Sequence, residues 1–218
     1  MKLKDGQTLL FIGDSITDCG RTHPIGARDG LGEGYVAFAD GLLSSWYPER
    51  QIRVLNTGIS GDRVTDLDAR WQVDMLDITP DWLSVMIGIN DVWRQFQFED
   101  QPDFQQVTID IYEKTYRKLL AKTRRSIDGL ILMSPYLIEP SLSDPFRQRM
   151  DEYSKVVEQL AHEFDAIFVD VQAAFDRYLA HRLTQSLCTD RIHPNKSGHM
   201  IIARAFLTAV NFDWDLSI

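Results

Sequence analysis

A chain of 218 residues with 44% hydrophobic and 25% charged side chains has enough apolar material for one substantial core. Asp and Glu outnumber Lys and Arg by 32 to 23, a formal charge of −9, and the one basic cluster is Lys122, Arg124 and Arg125. Phosphate-rich partners need a concentrated basic surface, so both nucleic acid and an anionic membrane are disfavoured.

The opening MKLKDGQTLLFIG has too short an apolar stretch for a secretion signal, and no run reaches membrane-spanning length, so a cytoplasmic protein is expected. The first strand pattern, residues 8–12, ends on Gly13 and opens into Asp14-Ser15, with Asp18 close behind. Residues 34–47 follow with Tyr35, Phe38, Leu42 and Trp46 at helical spacing, then strand patterns at 52–56 and 82–87. A second helical pattern over 104–125 carries Val107, Ile111, Tyr116 and Leu119, and a fourth strand pattern lies at 130–133. Ser143-Asp144-Pro145 supplies a capping residue followed by proline at the first helical position. The inward face of that helix is Phe146, Met150, Tyr153, Val157, Leu160 and Phe164. A fifth strand at 167–169 precedes a last helix that follows Asn195 and runs through Ile201, Ile202, Ala205, Phe206 and Val210.

The strand patterns are nearly unbroken apolar runs, as strands covered on both faces should be. Strand and helix alternate five times, which predicts an α/β fold with a parallel sheet between helical layers. No linker or internal repeat divides the chain, so residues 1–218 read as a single domain. Ligands of such sheets bind beyond the C-terminal strand ends.

Four polar clusters stand at those ends or in the loop before the last helix: Gly13-Asp14-Ser15, the stretch from Asn56 to Asp62, Gly88-Ile89-Asn90-Asp91, and Asp190-Arg191-Ile192-His193-Pro194. A serine hydroxyl is a weak nucleophile until a base takes its proton. Histidine suits that task, with a carboxylate holding its other ring nitrogen. Asp190 and His193, three residues apart in a turn closed by proline, can make that contact locally. An oxyanion needs donors in place beforehand. The Ser15 amide, a glycine amide of the second cluster and the Asn90 side chain can each provide one. His23 is the rival base but has no carboxylate at a suitable spacing, while His162, His181 and His199 read as packing or surface residues.

Other chemistries fit less well. A non-catalytic flavodoxin-like module could hold phosphate or flavin at the first strand end, but Asp14 and Asp18 would repel a dianion there. Paired-His and Cys-x-x-Cys spacings are missing, so neither a metal nor a cofactor is expected. Asp62 and Asp91 read as turn-holding acids. Cys19 and Cys188 read as reduced thiols packed as small hydrophobes.

The strings FIGDSITD, NTGISGD, GIND and DRIHP resemble the four motif blocks of the SGNH, or GDSL, hydrolase superfamily. The resemblance spans nearly the whole chain. It implies a three-layer α/β/α flavodoxin-like fold with a five-stranded parallel sheet in the order 2-1-3-4-5. It also implies Ser15 as nucleophile, His193 as base, Asp190 as its orienting acid, and an oxyanion hole from the Ser15 amide, Gly61 and Asn90. Gly58 competes with Gly61, which the family pattern favours.

The longer strings FIGDSITDCGR, IGINDVWRQ, FVDVQAAF and HPNKSGHMIIARAFL resemble the bacterial intracellular acetylxylan esterases of this superfamily. That likeness implies O-acetyl groups on short xylo-oligosaccharides as substrate, with another short-chain ester, a thioester or a lysophospholipid as the alternative. Close members carry a tryptophan before the acid, where this chain has Thr189. Asp14, Trp93, Arg94 and Tyr136 are candidate substrate contacts, since aromatic faces stack on pyranoses and arginine donates to hydroxyls. Phe212 and Trp214 suggest a contact that could make a homo-oligomer.

Overall fold

The computed structural model describes residues 1–97 and 106–215. Five parallel strands form its centre: β1 (Thr8–Gly13), β3 (Arg53–Asn56), β4 (Trp82–Met86), β5 (Gly129–Met133) and β6 (Ile167–Val169). Their order, β3-β1-β4-β5-β6, is the expected 2-1-3-4-5 arrangement. The sheet nevertheless has six strands, because β2 (Gly26–Ala27) pairs antiparallel with Leu55 and Asn56 at the β3 edge. Two residues bounded by irregular loop carry no periodic signal, which is why the sequence reading missed this strand.

β1, β4 and β5 are buried almost throughout, as their unbroken apolar runs require. On one face, α2 (Tyr35–Trp46), α7 (Val171–Leu179) and α8 (Lys196–Ala209) pack together, and Phe11 meets the rings of Tyr35 and Phe206. On the other lie α3 (Val64–Trp71), α4 (Ile89–Gln97), α5 (Ile109–Thr123) and α6 (Pro145–Glu163), where Tyr112 meets both Tyr116 and Tyr153.

Two predicted helix faces are rotated. The buried residues of α2 are Tyr35, Val36, Ala39 and Leu43, with Phe38, Leu42 and Trp46 only half-buried. α5 starts later than expected: Val107 is buried ahead of it, Ile111 is exposed, and Tyr112 and Leu120 face inward instead. Phe104 lies outside the described residues. α6 does start on the Asp144 cap with Pro145 in its first turn, and its expected inward residues are buried except Phe164, which is half-buried. Phe212 docks within its own chain, against Trp46 and Tyr47, with the Trp214 ring tilted against it.

The strand ends are tied together at one rim. A Cβ at Gly13 would lie 2.2 Å from the Met86 carbonyl and 2.5 Å from Thr17 Oγ1, so only glycine lets β1, β4 and the next turn close up. Asn56, fully buried at the end of β3, donates through Nδ2 to the carbonyls of Thr17 (2.7 Å) and Leu31 (3.0 Å). Its Oδ1 accepts from the Gly58 amide at 2.9 Å. One side chain therefore satisfies three backbone groups from three loops of the rim. Asn56→Leu strands all three, and each buried orphan costs about 1–3 kcal/mol. We expect the variant to lose at least about 3 kcal/mol in urea unfolding; a loss below about 1 kcal/mol would contradict this role.

Candidate active site

Ser15 is the first residue of α1 (Ser15–Asp18), a single turn that begins where β1 stops. Asp14 caps it, its Oδ1 accepting from the Ile16 amide at 3.0 Å. Cys19, in the left-handed region at φ 37, ends it. Serine is thereby held half-exposed at the lip of the sheet.

Ser15 Oγ lies 3.0 Å from His193 Nε2, across 178 residues of sequence. His193 Nδ1 lies 2.6 Å from Asp190 Oδ2. The other oxygen, Oδ1, accepts from the amides of Ile192 (2.9 Å) and His193 (2.8 Å), so the carboxylate closes its own turn. Partial burial raises the Asp190 carboxyl, but the hydrogen bonds from the His193 ring and these two amides outweigh it and hold it below the usual carboxylate range. An ionised Asp190 keeps the proton on Nδ1 and leaves Nε2 to accept from the serine.

The histidine turn is braced from beneath. Tyr136 Oη donates to the Ile192 carbonyl at 3.2 Å, and the Ile138 amide donates to the Arg191 carbonyl at 2.9 Å. Arg191, at φ 66, reaches Glu139 (3.0 Å) and Asp144 (2.9 Å).

The candidate oxyanion donors follow the ends of β1, β3 and β4. Among the described residues, no acceptor takes the amide of Ser15 or of Gly61. Asn90 is buried in the first turn of α4 and gives one Nδ2 proton to the Asp62 carbonyl at 3.0 Å, which leaves the other available. Gly58 does not compete with Gly61. Its amide is engaged by Asn56, and a Cβ there would sit 2.5 Å from the Asp18 nitrogen.

The proposed substrate contacts need revision. Asp14 is 2% exposed and Tyr136 is 3% exposed, so neither offers a face to a sugar; one caps α1 and the other carries the histidine turn. Trp93 and Arg94 lie on α4, and both are half-buried. Trp93 packs on the core, and Arg94 Nη2 donates to the Gly61 carbonyl.

His23 does find a carboxylate, Asp18, at 3.7 Å, contrary to the sequence reading. His199 is buried: its Nδ1 accepts from the Tyr35 amide at 3.2 Å and its Nε2 lies 3.4 Å from Cys19 Sγ. Burial, then the charge of His193, lowers its pKa to about 4, so it is neutral at working pH. Both cysteines are free thiols.

Sequence reasoning missed the arginines that bind the rim together. Arg70 donates to the carbonyls of Gly13 and Thr57 and to the carboxylates of Asp62 and Asp74. Arg21, which is buried, donates to the carbonyls of Gly58 and Pro24. Arg70 stands on α3 and Arg21 in a loop, and only the folded chain reveals which carbonyls each meets. A cavity of about 670 Å³ lies elsewhere, between β6, α7 and α8, and no triad residue lines it.

A family model for the GDSL-like lipase/acylhydrolase family matches residues 11–201. The chain belongs to that family. It is 50% identical, over 98% of both chains, to an acetylxylan esterase of Geobacillus stearothermophilus. The crystal structure of that enzyme, Axe2, superimposes with a TM-score of 0.97 over the whole of both chains. Solved forms of it include catalytic mutants in which a serine, a histidine or an aspartate is replaced by alanine. LAE5, an α/β hydrolase from the Lake Arreo metagenome, is 46% identical with a TM-score of 0.94, covering 97% of this chain and 98% of its own. Thioesterase 1/protease 1/lysophospholipase L1 of Escherichia coli is 26% identical over 90% of this chain and 79% of its own.

The buried acids under the serine set a pH dependence. Burial raises Asp14 to about 8, with the Ile16 amide opposing and Asp91 and Asp62 adding to the rise. Burial likewise raises Asp91 to about 7 against its bond from the Val64 amide. Asp14 is thus largely protonated at neutral pH, which weakens the repulsion of a phosphate argued from the sequence. Both acids have folded pKa values above those of the unfolded chain, so their contribution is complete below about pH 4 and is lost as pH rises through 7 to 8. Asp14→Asn keeps a capping oxygen without the titration. Unfolding free energies of the variant should fall less steeply than wild type between pH 5 and 8, and parallel curves would contradict the buried-acid account.

Proposed function

We propose that this protein is a cytoplasmic serine esterase that removes O-acetyl groups from the xylose units of short xylo-oligosaccharides. The observation that carries the catalytic half is the continuous relay from Ser15 Oγ through His193 to Asp190, with hydrogen-bond distances of 3.0 and 2.6 Å. The substrate half rests on the likeness to the Geobacillus acetylxylan esterase along the full chain. Two free thiols suit a reducing compartment.

Ser15 Oγ attacks the acetyl carbonyl as its proton passes to His193 Nε2. The negative charge on the carbonyl oxygen is met by the amides of Ser15 and Gly61 and by the free Nδ2 proton of Asn90. His193 then protonates the departing sugar oxygen as its bond to the acetyl carbon breaks, releasing the sugar with a free hydroxyl and leaving acetyl-Ser15. Water, deprotonated by His193, attacks that ester; collapse breaks the bond to Ser15 Oγ, which takes the proton back from His193, and acetate leaves. The triad side chains of Asp190 and His193 are each 47% exposed, an open setting that suits a substituent on an oligomer.

Ser15→Ala and His193→Ala should each lower turnover by several orders of magnitude. Asp190→Asn should retain more activity than either, because it misorients the base without removing it. Asn90→Ala should lower kcat about a hundredfold, and an unchanged kcat removes Asn90 from the oxyanion hole.

The likeness to the Escherichia coli thioesterase and lysophospholipase favours a second reading, a different acyl substrate on the same triad. Acetylated xylo-oligosaccharides, acetylated glucosides and acyl-thioesters compared at equal concentration separate the two, with Ser15→Ala as blank. Preference for the xylo-oligosaccharide is expected; preference for the thioester overturns the substrate while leaving the triad intact.

A further inference from the structure

We infer that Arg94 is a positioning residue that aims the oxyanion-hole amide of Gly61, not a contact for the sugar. The inference rests on the reading of Gly61 as an oxyanion donor.

Gly61 has a backbone angle that side chains rarely adopt, φ +88, and little packs against it. A Cβ built there would meet one neighbour within 4 Å, the Nη2 of Arg94 at 3.4 Å. Packing on its Cβ side therefore does not hold this glycine, and an oxyanion donor that rotates loses the advantage of being in place before charge develops.

Helix α4 supplies the restraint. Arg94 Nη2 donates to the Gly61 carbonyl. Asn90, one turn earlier on the same face, donates to the Asp62 carbonyl at 3.0 Å. Asp91 accepts from the Val64 amide at 3.0 and 3.3 Å. Three side chains from five consecutive helical positions thus grip three backbone groups of the 61–64 loop. From the far side, Arg70 anchors the Asp62 carboxylate at 2.6 Å. The bond to Gly61 comes from a guanidinium, and charge-assisted hydrogen bonds are about twice as strong as neutral ones. The Asp62 amide, in the same peptide unit as the Gly61 carbonyl, donates to the Ile59 carbonyl at 3.2 Å, and the Ser60 amide donates to Asp18 at 3.0 Å. Without Arg94, that peptide keeps only the long 3.2 Å bond of its own against turning the Gly61 carbonyl toward water.

A sugar contact and an oxyanion brace differ in kinetics. A residue that binds sugar lowers affinity for sugar esters when removed and leaves a sugar-free ester untouched. A brace acts only as charge develops, so its loss lowers kcat for every ester and leaves KM nearly alone.

The test measures kcat and KM of wild type, Arg94→Met, Arg94→Gln and Arg94→Lys on an acetylated xyloside and on 4-nitrophenyl acetate. We expect Arg94→Met to lower kcat about tenfold or more on both esters, with KM within about twofold of wild type. Arg94→Lys, which keeps a charged donor, should recover part of the loss. Arg94→Gln is too short to reach the carbonyl and is held to the same criteria, so the test survives if the methionine variant does not fold. An unchanged kcat on 4-nitrophenyl acetate, or a loss confined to a higher KM for the xyloside, overturns the inference. Ser15→Ala and Asn90→Ala run in the same series keep the two failures apart. If wild type shows no Ser15-dependent hydrolysis of either ester, the esterase reading falls and takes this inference with it. If Asn90→Ala is slow while Arg94→Met and Arg94→Gln match wild type, only the brace is lost.

Discussion

The 2.6 Å hydrogen bond between His193 and Asp190 is the contact on which the chemistry of this molecule depends. It sets the tautomer of the ring, and the tautomer decides whether the serine meets an acceptor or a donor. The bond is local, made within a four-residue turn, so the fold need only bring that turn to Ser15. Most of the rim serves this end. Tyr136 and the Ile138 amide carry the histidine turn, and Gly13 lets the serine turn sit against β4.

A second constraint concerns charge. Asp62 and Asp91 lie close enough to Asp14, the residue before the serine, to raise its carboxyl, and Asp14 and Asp91 are almost fully buried. Burial favours the neutral forms of Asp14 and Asp91, which limits the negative potential near a site where an anion must develop. Arg70 and Arg21 counter the remainder while holding backbone carbonyls. The same residues thus shape the loops and temper the field, so substitutions there are expected to act on stability and turnover together.

The central strands were legible in the sequence because double-sided burial leaves unbroken apolar runs, as in residues 8–12 and 82–87. The triad was legible because its acid and base share one turn and its serine follows a strand directly. What escaped has a common cause: it depends on contacts between loops far apart in sequence. β2 is two residues long and exists because β3 offers it an edge. Asn56 was visible as a motif residue, but its bonds to Thr17 and Leu31 were not. Arg94 was a candidate sugar contact beside the aromatic Trp93; the helix there points its guanidinium at Gly61 instead. Tyr136 misled for a related reason. An aromatic residue after a strand can face a ligand or carry a loop, and only burial tells which.

The account stands on one covalent event, transfer of the acetyl group to Ser15. Acid quench of the reaction during turnover, followed by intact-mass and peptide-level mass spectrometry, tests it directly, and Asp190→Asn is available to slow release of the adduct. The account predicts one acetyl group per chain, on the peptide that contains Ser15, and none in Ser15→Ala. A catalytically competent protein with no adduct on that peptide, or with the acetyl group on another residue, would contradict it.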